Sequence, residues 1–311
     1  VSKVSVVIPI LNEEDNINIL YKELKRALEG IEYEIIFIDD GSIDRSFTIL
    51  LELKKTDNRI KVIKFRRNFG QTAALSAGFD HAKGDIIVTM DGDLQNDPMD
   101  IPKLIQKIDK GYDIVCGWRK RRKDPFLKRR LPSILANRLI SLVTKVKLHD
   151  YGCTLKAFKK DIVKNIKLYG EMHRFIPAIV SWMGVKITEV EVNHRARKYG
   201  RSKYGLSRTV RVILDLITVK FLLSYSTRPI QFFGLIGFLF SIIGIGIWIY
   251  LSFIRFILLV PIGGRPMLFF SLLLTFMGIQ FITIGLLAEI QIRNYHESLN
   301  KPIYAIERII E

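Results

Sequence analysis

Cysteine is scarce. The chain has two, Cys116 and Cys153, at a spacing that suits no metal, which excludes a disulfide scaffold and a cysteine-ligated metal centre. A reduced, cytoplasmic compartment fits that usage. A basic-then-apolar leader is also missing. The N-terminus enters a strand-like run at Val4–Ile10, so no signal peptide is expected. His81, His173, His194 and His296 fall in no ligand pattern and are assigned no functional role. Acid is nearly missing from residues 119–130, where Arg119, Lys120, Arg121, Arg122, Lys123, Lys128, Arg129 and Arg130 face only Asp124. It is wholly missing from residues 193–211, which hold seven lysines or arginines. Charge of either sign is missing from residues 232–254 and 267–288.

Those two uncharged runs set the broad class. At about 1.5 Å rise per residue, each can cross a hydrocarbon core of about 30 Å. Soluble core helices seldom stay uncharged for so long, so two membrane spans are expected. Arg208, Arg211, Lys220 and Arg228 precede the first span and Arg293, Lys301 and Arg308 follow the second, against Arg255 and Arg265 between them. The positive-inside rule then puts both ends in the cytoplasm of a multi-pass inner (plasma) membrane protein. The net charge of +17 is concentrated in the two basic runs. Such runs can be solvated faces, nucleic-acid contacts or attachments to anionic lipid headgroups and lipid phosphates. The neighbouring spans favour the last, and no nucleic-acid partner is expected.

Before the spans, strand-length apolar runs alternate with helix-length amphipathic stretches. Strands are predicted at Val4–Ile10, 34–38, Ile60–Phe65, 85–90, 113–117 and 186–192, and helices at 14–29, 44–56, 71–82 and 99–109. Alternation of this kind predicts an α/β domain with a mostly parallel sheet covered on both faces. Ligands of such sheets bind beyond the carboxyl ends of the strands.

The polar residues at those ends are therefore the candidates. Asn12 follows the first strand and can cap the next helix, with Glu13 and Glu14 suited to its positive N-terminus. Asp39-Asp40-Gly41-Ser42 follows the second strand, where a carboxylate can accept from a base N–H or simply shape a turn. Asp91-Gly92-Asp93-Leu94-Gln95 follows the fourth. Two carboxylates flanking a glycine at a strand end suit a hard divalent cation, which takes one or two carboxylates plus substrate phosphates. A plain turn is the alternative.

Taken in order, five segments resemble glycosyltransferase family 2, and within it the polyprenyl-phosphate branch. They are Val6-Val7-Ile8-Pro9-Ile10-Leu11-Asn12-Glu13, Ile38-Asp39-Asp40-Gly41-Ser42, Arg67-Asn68-Phe69-Gly70, Met90-Asp91-Gly92-Asp93-Leu94-Gln95 and Arg197-Lys198-Tyr199-Gly200-Arg201-Ser202-Lys203-Tyr204. The resemblance implies a GT-A fold, a nucleotide-sugar donor, a polyprenyl-phosphate acceptor and Mg²⁺ or Mn²⁺. Carried onto this chain, it implies that Pro9, Asn12, Glu13, Asp40, Gln71 and Lys203 bind the donor. Asp91, Asp93 and Gln95 would surround the metal, and Arg119, Arg129 and Ser133 would hold the lipid phosphate. Asp150 is the leading carboxylate if a general base exists, with a turn or salt bridge as its alternative. UDP-glucose is the lead donor; GDP-mannose and other UDP-sugars are the alternatives, as is a different lipid or polysaccharide acceptor. The Gln-x-x-Arg-Trp motif of processive synthases is missing around Trp118, Trp182 and Trp248, so a single transfer is expected.

The expected organisation is a catalytic domain over 1–206, an amphipathic juxtamembrane region over 207–229, two spans over 230–292 and a cytoplasmic tail over 293–311. Residues 131–148 and 207–228 carry apolar positions at helical spacing among cations, which suits interfacial helices. Gly237-x-x-x-Ser241 in the first span permits close helix contact and hints at a homo-oligomer.

Overall fold

The computed structural model describes residues 3–120, 140–141, 146–164, 166, 168, 172–196, 229–298 and 304–310. The chain forms two compact units, Val1–Val219 with Pro302–Glu311, and Lys220–Lys301.

The first unit is built on β1 (Val4–Ile10), α1 (Glu14–Ala27), β2 (Tyr33–Asp39), α2 (Ser46–Thr56), β3 (Ile60–Phe65), α3 (Gln71–His81), β4 (Ile86–Thr89), α4 (Ile101–Asp109) and β5 (Ile114–Trp118). β6 (Lys156–Lys159), α5 (Lys160–Lys164), α6 (Ile176–Val180) and β7 (Ile187–Glu191) follow. The strands and helices expected over residues 4–117 and at 186–192 are all present. The sheet runs β7-β5-β6-β4-β1-β2-β3-β8, where β8 (Ile306–Ile310) comes from the far end of the chain. β4, β1, β2 and β3 are parallel neighbours, and β5 and β7 pair in parallel. β6 enters antiparallel between β4 and β5, and β8 lies antiparallel along β3. The fold is thus α/β with a mostly parallel sheet. β1 and β2 are apolar nearly throughout because both their faces are covered. Ile17, Leu20 and Leu24 of α1, Leu50 of α2, and Ile101, Leu104 and Ile108 of α4 join one core with Val6, Ile8, Ile35 and Phe37. Truncating one of these to alanine costs about 2–5 kcal/mol.

β6 and β8 escape sequence periodicity for local reasons. β6 reads Lys-Ala-Phe-Lys, four residues in which a lysine occupies a core position. β8 is a short segment with Glu307 and Arg308 inside it. The expected tail over 293–311 is therefore divided: its first part continues a helix to Ser298 and its last part is a sheet strand.

The second unit contains α7 (Pro229–Phe256) and α8 (Pro266–Ser298). Their apolar stretches, Phe233–Phe256 and Pro266–Ala288, are 24 and 23 residues long. Most of the large apolar side chains face outward, among them Leu235, Phe238, Ile249, Phe269, Phe276 and Leu287. A soluble protein rarely tolerates so large a contiguous apolar surface, whereas lipid satisfies it. Gly237, Gly244 and Gly278 face inward between the two helices. A Cβ on Gly278 would stand 2.2 Å from Ser241 Oγ and 2.6 Å from Gly237 O. The Gly237/Ser241 face is thus used inside the hairpin, and the oligomer hint drawn from it loses its basis. The expected interfacial segments 131–148 and 207–228 lie almost wholly outside the described residues.

Candidate active site

Parallel pairing brings the ends of β4, β1, β2 and β3 to one edge of the sheet. β6, running the other way, starts there, with Lys156 opposite Thr89. The loops after β1, β2, β3 and β4 and the turn before β6 therefore meet.

The loops after β1 and β2 are laced together. The Asn12 amide N–H donates to Ser42 Oγ (3.0 Å), and the Ile43 amide donates to Asn12 Oδ1 (2.9 Å). Asn12 sits at φ 54°, a left-handed conformation that asparagine tolerates. It does not cap α1, whose N-cap position is Glu13 without a side-chain cap bond. Glu13 accepts from Asn16 Nδ2 (2.6 Å), and its amide donates to Ser46 Oγ (2.8 Å). Pro9 is half-buried in β1.

Asp39 and Asp40 have different surroundings. Asp40 accepts from the amides of Phe69 (2.7 Å) and Gly70 (2.9 Å), so it shapes the loop after β3. Gly41 makes that approach possible. Its φ is +77°, and a Cβ there would stand 2.7 Å from Arg67 C and Asn68 N. Asp39 is fully buried, its Oδ1 accepting from the Ser42 amide (3.1 Å), while Oδ2 has no hydrogen-bond partner among the described residues. Burial raises its carboxyl above the ordinary range. The sequence reading weighted Asp40 for the donor and missed that Asp39 holds the spare acceptor.

The acidic pair lies one strand over. Asp91 is half-buried and accepts from Gln71 Nε2 (2.7 Å), the first residue of α3, and from the Thr154 hydroxyl. Asp93 is buried and accepts from the Gln95 amide (3.1 Å). Between them the chain turns through Leu94 at φ 63°, with the leucine side chain buried. A left-handed non-glycine residue costs about 1–2 kcal/mol, which its packing offsets. Desolvation first, and then the like charge of Asp93, push the Asp91 carboxyl up to about 6, while Thr154, Arg119 and Lys156 pull it down. Two carboxylates set this close at one strand end, with an amide side chain at Gln95, suit a divalent cation that completes its shell with phosphate oxygens. Among the described residues there is no cluster of three or more acidic, histidine or cysteine ligands. The backbone carbonyl of Gln95 accepts from the Arg195 amide (2.9 Å). Arg195 in turn pairs with Glu23 (2.7 Å) and Asp97 (2.8 Å), fixing the start of the segment that leads to Lys203.

Arg119 and Asp150 form one unit. Arg119 donates through Nε (2.7 Å) and Nη2 (3.0 Å) to the two oxygens of Asp150, which is 1 % exposed. This bidentate bond engages both oxygens of Asp150. This is the salt bridge held as the alternative to a general base at Asp150, and through it Asp150 holds Arg119 in place. Lys156, missed by the sequence reading, lies buried beneath the same turn and donates to the carbonyls of Tyr151 and Cys153. With a lysine at each end of a four-residue strand, nothing in the sequence signals which one is buried. Burial pushes the Cys153 thiol to about 11 and that of Cys116 to about 12, so neither is a nucleophile at neutral pH. Arg129, Ser133 and Lys203 lie outside the described residues.

Residues 5–167 match the model of glycosyl transferase family 2. A dodecaprenyl-phosphate galacturonate synthase from Rhizobium johnstonii is 44 % identical over 318 residues, covering 99 % of this chain and 93 % of that protein. Among solved structures, glucosyl-3-phosphoglycerate synthase from Mycobacterium tuberculosis, bound to Mn²⁺, UDP and phosphoglyceric acid, superposes with a TM-score of 0.56 at 19 % identity. That match covers 70 % of this chain and 78 % of the other. The same enzyme with Mn²⁺, UDP-glucose and phosphoglyceric acid gives a TM-score of 0.56 at 20 % identity, covering 70 % and 80 %. At those identities the likeness concerns the fold, which is of the GT-A type. With the family model spanning more than half of the chain and the Rhizobium relative nearly all of it, the protein belongs to glycosyl transferase family 2.

Proposed function

We propose that the protein transfers one sugar, with inversion, from a nucleotide sugar to a polyprenyl phosphate at the cytoplasmic face of the membrane. The observation that carries this reading is the Asp91/Asp93 pair bonded through Thr154 to the same short turn that presents Arg119 on Asp150. An acidic cation site and a forked cation side by side are what a phosphate acceptor and a diphosphate leaving group need. The 44 % identity to a synthase named for a dodecaprenyl phosphate supports the acceptor class.

The chemistry fits this chain's residues. Mg²⁺ or Mn²⁺, held by Asp91 and Asp93 with Gln95, would stabilise the charge that gathers on the departing diphosphate. Gln71 and Thr154 orient Asp91 for that task. A phosphate monoester has its second pKa at about 6, so its nucleophilic dianion is present near pH 7 without a general base. Asp150 is then free to be a positioning residue. The acceptor needs alignment and charge neutralisation, and Arg119 retains donors for a phosphate oxygen beyond those given to Asp150. In this reading Asp39, with its spare buried oxygen, joins Pro9, Asn12, Glu13 and Asp40 on the nucleoside side, and the motif resemblance adds Lys203 for the phosphates. Arg129 and Ser133 complete the acceptor set.

We take residues 1–206 as the catalytic domain, 207–229 as the juxtamembrane region, and 230–292 as the hairpin that holds it to the inner membrane. UDP-glucose, to which the motif resemblance points, competes with a galacturonosyl donor, which the relative's name favours. A panel of radiolabelled UDP-glucose, UDP-galacturonate and GDP-mannose with undecaprenyl phosphate separates them. Label recovered on a mild-acid-labile lipid supports the reading; label on polysaccharide or diacylglycerol instead defeats the acceptor assignment. Asp93→Asn should abolish transfer, and full activity in excess EDTA would refute the metal role.

A further inference from the structure

The chain returns to the catalytic unit after the membrane hairpin. β8 pairs antiparallel with β3, Ile310 opposite Val62 and Ile306 opposite Phe65, with a register irregularity at Lys64/Phe65. At that irregularity the Arg66 amide donates to Ala305 O (3.2 Å). Just before it, Tyr304 stacks on Phe65, with centroids 5.3 Å apart and planes 13° apart. Its hydroxyl donates to Asp80 Oδ2 (2.7 Å) near the end of α3. Tyr304 therefore bridges the last residue of β3 and the far end of α3, the two elements that flank the loop at residues 66–70.

That loop is the one Asp40 holds. Phe65 meets Phe69 edge-on at 5.7 Å, and Arg67 lies over the Phe69 ring at 4.4 Å. The Phe69 and Gly70 amides reach Asp40, and the next residue, Gln71, reaches Asp91. A continuous set of contacts thus runs from Tyr304 through Phe65 and Phe69 to the two carboxylates on the donor side. Aromatic contacts of this kind have defined geometry, so they fix a loop rather than merely cover it.

We propose that Tyr304, in the segment after the membrane hairpin, is a positioning residue for nucleotide-sugar binding: it clamps β3 to α3 and so sets the loop at 66–70 against Asp40 and Asp91. The inference rests on the donor-side reading above and adds a role for the C-terminal segment. A tail that only completed a sheet edge would affect stability, with no preference for one substrate.

The test compares Tyr304→Ala, Tyr304→Phe and Asp80→Asn with Glu307→Gln in the full chain. Glu307 pairs with Lys64 at 2.9 Å on the exposed part of the same strand. Loss of the stack should raise the donor KM about ten-fold in Tyr304→Ala, with acceptor KM and kcat nearly unchanged. Tyr304→Phe keeps the ring and should lose about two- to three-fold, as should Asp80→Asn, while Glu307→Gln should match the wild type. Hydrogen exchange should accelerate at the Phe69 and Gly70 amides in Tyr304→Ala ahead of the rest of the sheet. An unchanged donor KM, or exchange raised evenly over the whole sheet, overturns the proposal. If Tyr304→Ala does not fold, the two conservative variants carry the same comparison. Calorimetric titration of UDP with Mg²⁺ and the exchange measurement need no acceptor. A wild type that fails to label polyprenyl phosphate would therefore defeat the acceptor reading and leave the Tyr304 result standing on its own.

Discussion

Replacing Asp150 by asparagine separates a positioning residue from a general base. The substitution keeps the volume and one acceptor oxygen but removes the charge that faces Arg119. Asp150 is 1 % exposed, and its two oxygens accept at 2.7 and 3.0 Å from a guanidinium whose side chain is 18 % exposed. Water therefore cannot replace the lost partner. Breaking one side of a buried pair costs about 3–5 kcal/mol, and the remaining amide oxygen recovers about 1 kcal/mol of that, leaving about 2–4 kcal/mol. A domain of this size shifts by about 2–4 °C per kcal/mol, so the apparent melting temperature should fall by about 4–16 °C. In the positioning reading, the acceptor KM rises while the shape of the pH–rate profile is kept. A general base predicts the reverse: kcat falls by about 10²–10⁴-fold, the acidic limb of the profile disappears and acceptor KM is unmoved. The assay is transfer to undecaprenyl phosphate across pH 5–9, with thermal unfolding of each variant. Pairing Asp150→Asn with Arg119→Gln should then cost little more than either change alone, because both break one contact. An Asp150→Asn protein with wild-type stability, wild-type acceptor KM and no acidic limb would refute the reasoning.

Other perturbations test the scaffold. Gly41→Ala should abolish donor binding and cost more than about 2 kcal/mol, since the methyl would meet the Arg67–Asn68 backbone at 2.7 Å from a left-handed residue; UDP titration and thermal unfolding measure it. Gly278→Leu should lower the thermal stability of the detergent-extracted protein without changing its mass by light scattering. A loss of mass instead would show that the Gly237/Gly278 face joins separate chains. Asp57 is held down to about 2, first by hydrogen bonds from Arg59. Its folded pKa lies below the ordinary 3.8, so its contribution to stability is complete above about pH 4 and lost as pH falls from there towards 2. Asp57→Asn should flatten the acid-unfolding curve in that window and leave the curve above pH 5 parallel to the wild type.

The sequence by itself determined whatever is written in neighbouring residues. Strands β1 to β5 and helices α1 to α4 could be placed because their apolar periods of two or about 3.6 report burial directly. The two long apolar helices could be placed because uncharged runs of that length stand out in the sequence. The Asp91/Asp93 pair was readable as a metal candidate because both carboxylates sit at the end of one strand. Tertiary structure decided what depends on partners far along the chain. Asp39 and Asp40 are identical neighbours in sequence, yet one meets the amides of Phe69 and Gly70 and the other keeps a buried oxygen spare. Asp150 could be read as a base or as a salt-bridge partner, and only the fold shows that it pairs with Arg119, 31 residues earlier. β6 and β8 have too few apolar positions to announce themselves, and β8 gains its place from β3 more than 240 residues away. Backbone hydrogen bonding along a sheet edge is indifferent to side-chain pattern, so only the folded chain could show that its end returns to the catalytic unit.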